Sequence, residues 1–139
     1  MRKFLLVTHG KMAEGFANSV EMVLGKRSDL IALNAYVDDK TLPELIYPVI
    51  EAFDEEDEVV VFTDISHGSV NQFFTAYLND RHFHIITGIN LPLVLSIMLF
   101  APSEILTREI IEGEIEFAKE QIKYMNTQTV IISEEDELE

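Results

Sequence analysis

Two short segments hold the residues best suited to chemistry. "VTHGK", from Val7, places His9 and Gly10 where an apolar run stops, and "VFTDISHGSV", from Val61, places Thr63, Asp64, His67, Gly68 and Ser69 at the end of another. In open parallel α/β sheets, ligands gather beyond the carboxyl ends of the strands, where the winding direction reverses. If the two runs are neighbouring strands, the backbones of His9 and Asp64 start about 4.8 Å apart, and a carboxylate–imidazole hydrogen bond is easy to build. That bond fixes one ring nitrogen as the N–H donor, turns the lone pair of the other outward and stabilises positive charge on the ring. An imidazole so held is a nucleophile. Phosphorus is a natural target, because phosphoryl transfer needs positioning and hydrogen-bond donors more than covalent help. Gly68 and Ser69 at a helix start would supply backbone N–H groups, a hydroxyl and the positive dipole end. Gly10 and Lys11, opening the first helix, would supply more. The same residues also suit plainer roles. A histidine at a strand end is usually a polar loop residue, and "TDISHGS" also reads as an Asp-capped turn. His9, Asp64 and His67 could instead meet on a divalent ion. His82 and His84 share one face of a strand like a second ligand pair, although packing at the sheet margin explains them better.

The elements that must position these residues are visible in the hydropathy pattern. Four apolar runs recur at similar spacing: "FLLV" from Phe4, "LIAL" from Leu30, "VVVF" from Val59 and "HIIT" from His84. Short, nearly continuous runs of this kind are strands covered on both faces. Helical segments separate them. Residues 11–24 place Met12, Phe16, Val20 and Val23 on one stripe and stop at Gly25. Residues 41–53 open with Thr41, Pro43 and Glu44, and residues 69–78 carry Val70, Phe73 and Tyr77 at helical spacing. A long helix is expected from Pro102 and Ser103, with Ile105, Ile111, Ile115 and Ile122 along it. Residues 90–100, "NLPLVLSIMLF", are apolar nearly all round, so that helix must be covered on every side, by the final helix or by a second subunit. This order predicts an α/β fold: an open, mainly parallel four-stranded sheet with helices on both faces. "TVIIS", from Thr129, would add a C-terminal edge strand.

Bulk composition bounds the function. The 139 residues, 47% hydrophobic and 25% charged, suit one globular domain. With no cysteine in the sequence, disulfides, thiolate metal sites and cysteine nucleophiles are excluded. A net charge of −15 argues against nucleic acid, whose phosphates demand a basic surface. Residues 85–103 are uncharged and long enough to be checked as a membrane span, but Gly88, Asn90 and Pro92 interrupt them. The N-terminal apolar run is too short for a signal peptide. The expectation is a cytoplasmic domain, with the acidic end, "SEEDELE", as a solvated, flexible tail.

"THGKMAEGFANSVEMVLG", "VFTDISHGSVNQFF" and "TGINLPLVL" together resemble, in order and spacing, the mannose/fructose-family EIIA component of the bacterial phosphoenolpyruvate-dependent sugar phosphotransferase system (PTS). The resemblance implies a mannose-family (type-4) EIIA domain over residues 1–133, with residues 134–139 as the acidic tail. It implies a phosphotransferase in which His9 accepts a phosphoryl group from the carrier protein HPr and passes it to a EIIB component, which phosphorylates incoming sugar. Contact with the membrane would be indirect, through the permease complex, and no cofactor or metal is called for. Asp64 matches the aspartate that hydrogen-bonds the active histidine, and Ser69 matches a serine beside the phosphoryl pocket. Gly10 and Gly68 fall in the same two motifs. Family members form homodimers in which a C-terminal strand crosses to the partner, a role for "TVIIS". The phosphotransferase subunit of dihydroxyacetone kinase has a similar His-Gly start, and a regulatory module controlled by phosphorylation of His9 is a further alternative. The chain departs from the family's Gly-Gly-Ser-Pro at two positions, reading His67-Gly68-Ser69-Val70. Histidine takes a positive φ only at a cost, and valine lacks the preset turn of proline.

Overall fold

The computed structural model describes residues 1–128. Four strands, β1 (Arg2–His9), β2 (Leu30–Ala35), β3 (Glu58–Thr63) and β4 (Phe83–Ile86), form one parallel sheet in the order β2-β1-β3-β4. The chain winds outward from β1 to β2, then crosses back over β1 to β3. The reversal point therefore lies between β1 and β3, the two strands that end in His9 and just before Asp64. The expected fifth strand falls on residues 129–133, outside the described residues, as does the acidic tail.

Side chains alternate across the sheet and build two cores. Phe4, Leu6, Val60 and Phe62 face one way, against α1 (Met12–Leu24), α4 (Leu91–Met98) and α5 (Arg108–Glu120). Leu5, Val7, Val59 and Val61 face the other, against α2 (Leu42–Glu51) and α3 (Ser69–Phe73), which runs on into a 3₁₀ turn at Phe74–Tyr77. Both sheet faces are thus covered, which is why the strands read as continuous apolar runs rather than alternating ones.

Helix ends follow local chemistry. Thr41 caps α2 by accepting from the Glu44 N–H, and its own hydroxyl donates to the Glu44 carboxylate at 3.0 Å. Asn90 caps α4 through the Leu93 N–H and also donates to the Ala118 carbonyl at 2.8 Å, tying the start of α4 to the end of α5. The apolar α4 is covered by α1 and α5 of its own chain. No helix among the described residues is long and apolar enough to cross a membrane.

Two helical expectations need correction. The inward stripe of α1 runs through Ala13, Phe16, Ala17, Val20 and Leu24, whereas Met12 and Val23 are exposed. The last helix starts at Arg108, capped by Thr107, not at Ser103, and Ile105 and Ile122 lie outside it, exposed. The reason is Arg2, a buried guanidinium that donates to the carbonyls of Phe100 and Ala101 at 3.2 Å and to that of Glu104. Held this way, residues 100–104 form turns instead of a first helical turn.

Candidate functional site

His9 ends β1, and Gly10 turns the chain sharply toward α1 with a φ of 62°. The Gly10 N–H is already bonded to the Ala35 carbonyl at 2.8 Å. Two first-turn amides of α1 are engaged too: Ala13 N–H donates to the buried Thr8 hydroxyl at 2.6 Å and Glu14 N–H to the Asn34 side chain at 3.1 Å. The part Gly10 plays is therefore conformational, and the amides of Ala13 and Glu14 are already taken. Thr8 and Asn34 escaped notice in the sequence because each acts through a partner several residues away.

Asp64 follows β3 and holds His9 twice. One carboxylate oxygen accepts the His9 backbone N–H at 2.8 Å and lies 2.9 Å from Nδ1, with the second oxygen 3.2 Å from Nδ1. An ionised carboxylate can only accept, so Nδ1 carries the proton that faces it, and in the neutral ring the lone pair is on Nε2. Burial would by itself raise the Asp64 carboxyl, but the bonds from the His9 N–H and ring outweigh it and hold it below the usual carboxylate range. The Asp64 side chain is only 9% exposed, whereas that of His9 is 36% exposed. The ring is anchored on the protein side and open to a reactant.

Gly68 closes the other flank. A Cβ there would sit 2.7 Å from His9 Cε1 and 2.9 Å from Ile65 Cγ1, so the loop passes the imidazole at a distance only glycine allows. No side chain caps α3. Ser69 adds a hydroxyl, bonded at 2.5 Å to the hydroxyl of Tyr36, whose ring lies against His9 with centroids 5.5 Å apart. Tyr36 was not legible as a site residue, since "NAYVDD" marks nothing but the end of an apolar run.

Neighbouring His67 is exposed, and its φ is not positive, so the loop does not require glycine there. Val70 is fully buried in the core that includes Leu5 and Val7, where its side chain serves packing. His84 does not pair with His82. Its Nε2 lies 3.3 Å from Glu58 at the opposite end of the sheet, next to Arg2. Among the described residues no three histidine or acidic side chains converge as a metal set.

A family model described as the PTS system fructose IIA component, EIIA-man, matches residues 3–113. Among solved structures, a candidate phosphoenolpyruvate-dependent sugar PTS permease from Klebsiella pneumoniae is 38% identical, with a TM-score of 0.83 over 91% of this chain and 92% of that one. The fold is shared with the PTS IIA protein associated with the fucose utilization operon of Streptococcus pneumoniae (24% identity, TM-score 0.73, 91% and 95% covered). It is also shared with a mannose/sorbose-specific IIA subunit from Enterococcus faecalis (18% identity, TM-score 0.69, 94% and 98% covered). The chain belongs to the EIIA-man family, the IIA components of sugar phosphotransferase systems.

Proposed function

We propose that His9 carries a phosphoryl group from phosphorylated HPr to a EIIB component of the same sugar system. The observation that supports this most is the double hold of Asp64 on His9, which leaves Nε2 as an exposed nucleophile. In the forward step the Nε2 lone pair forms a bond to phosphorus as the P–N bond of the donor phosphohistidine breaks, its electron pair returning to the donor ring. Nδ1 keeps its proton, and the positive charge the ring acquires is balanced by Asp64. The reverse logic serves delivery to EIIB, where His9 is the leaving group. In this reading Ser69 and the amides after Gly68, which no side chain caps, donate to the phosphoryl oxygens. A homodimer and a cytoplasmic setting belong to the same reading. The strand exchange would involve residues outside those described.

Incubation with phosphoenolpyruvate, enzyme I and HPr is expected to add one phosphoryl group, located on His9 by mass spectrometry, and His9→Ala is expected to abolish it. Labelling of the His9→Ala protein at wild-type stoichiometry would overturn the proposal.

A further inference from the structure

Tyr36 is the only non-glycine residue with a left-handed backbone among those described, at φ 65°. The position disfavours an L side chain, because Cβ crowds the following carbonyl, and glycine or asparagine would occupy it more easily. Core packing does not account for the choice, since Tyr36 is 54% exposed. What the conformation achieves is reach. From the end of β2 the side chain extends past His9 on β1 to Ser69, the residue that opens α3 after β3. Its ring tilts 32° against the imidazole and its hydroxyl meets Ser69 Oγ. His9 is then bounded on three sides: by Asp64 at Nδ1, by Gly68 at Cε1 and by the Tyr36 ring.

We propose that Tyr36 is a positioning residue for phosphoryl transfer, bracing the His9 imidazole with its ring and orienting the Ser69 hydroxyl with its own. This inference rests on the reading of His9 as the phosphoryl carrier. Either hydroxyl of the pair can donate, and the productive arrangement is the one in which Tyr36 donates to Ser69 Oγ, leaving the Ser69 proton free to meet a phosphoryl oxygen. No bond to Tyr36 is made or broken. It acts by narrowing the orientations that His9 and Ser69 sample before the P–N bond forms. A backbone held in an unfavourable region beside a reactive group is a familiar form of such preorganisation.

Transfer from phosphorylated HPr is measured by rapid quench for wild type, Tyr36→Phe, Ser69→Ala and the double variant, alongside thermal unfolding of each. Tyr36→Phe keeps the ring and is expected to lower kcat about three- to tenfold, the range for one lost hydrogen bond, with KM for phosphorylated HPr unchanged. Ser69→Ala should match or exceed that loss, and the double variant should be no slower than Ser69→Ala alone, because both changes break one device. Tyr36→Gly, which removes the ring and relieves the backbone, should slow transfer more than Tyr36→Phe while melting no lower than wild type. A wild-type kcat in Tyr36→Phe, an effect confined to KM, or full additivity with Ser69→Ala would overturn the inference and leave His9 as the carrier. Failure of the wild-type protein to be labelled on His9 would instead remove the carrier reading itself.

Discussion

At the scale of single residues, the site depends on a hydrogen bond whose donor and acceptor cannot be exchanged. Asp64→Asn preserves size, and its carbonyl can still accept the His9 backbone N–H. Its amide nitrogen, however, would replace the second oxygen, which lies 3.2 Å from Nδ1 and accepts the Ile65 N–H at 3.0 Å, so donors would face donors, and the negative charge that balances a positive ring would be gone. By this argument Asp64→Asn should slow phosphoryl acceptance about 10²-fold or more, with little change in affinity for the donor protein, as rapid-quench labelling would show. The same bond gives a pH signature. The Asp64 carboxyl is held below its ordinary range, so the folded protein binds fewer protons there than the unfolded chain. Its contribution to stability is complete above the unfolded value, about pH 4, and is lost as pH falls through the lower folded value. Denaturation of the wild type between about pH 5 and pH 2 should show this loss, and Asp64→Asn should show a shallower slope over that window. His9 and Asp64 were legible in the sequence because strand ends and a parallel sheet suffice to bring them together. Tyr36 was not, because its contact depends on β2 lying beside β1 and on a backbone angle that no glycine or asparagine announces.

At the scale of elements, four strands and the turns after them were readable because buried parallel strands leave continuous apolar runs and a helix cap leaves Thr41. What the pattern missed was tertiary override. Arg2 looks like an ordinary N-terminal charge, yet it is 6% exposed and binds Glu58 through Nε at 2.5 Å and three carbonyls between Phe100 and Glu104. Those carbonyls would otherwise open the helix that Pro102 and Ser103 announce. Five N–H donors in a rigid fork can satisfy such a set, and an ammonium cannot. Arg2→Met, which keeps much of the bulk, leaves the Glu58 carboxylate with only His84 at 3.3 Å and takes the guanidinium from the carbonyls of Phe100, Ala101 and Glu104. Breaking one side of a buried pair costs about 3–5 kcal/mol. Urea denaturation should show a loss of that size, and amide exchange should rise first in residues 100–107, while His9, at the other end of β1, still accepts phosphate in the protein that remains folded. A loss under about 1 kcal/mol would mean the guanidinium is not what holds this segment.

At the scale of the whole molecule, the fold separates two tasks. The amino ends of the strands are locked by Arg2, Glu58 and the N-terminal ammonium paired with Asp57 at 3.1 Å. The carboxyl ends carry His9 and, around it, side chains that the core does not cover: Met12, Tyr36, Val37 and Ile65 are each between 45% and 55% exposed. On the proposed reading phosphorus passes directly between two imidazoles, so a partner protein must approach His9 to bonding distance and would meet these apolar side chains. The chain's net charge of −15 disfavours acidic partners, so on this reading the rim would supply contact while the charge selects. Met12 allows this to be tested without disturbing the chemistry. It opens α1, where a carboxylate is favourable to the helix, and its side chain makes no bond to His9. Met12→Asp should therefore fold as well as wild type but place a desolvated charge in the docked complex. KM for phosphorylated HPr should rise about tenfold, as for loss of an interface contact, with kcat retained at saturation. A variant with wild-type KM would show that the donor docks elsewhere on the rim, and a fall in kcat alone would assign Met12 to the chemistry instead of the contact.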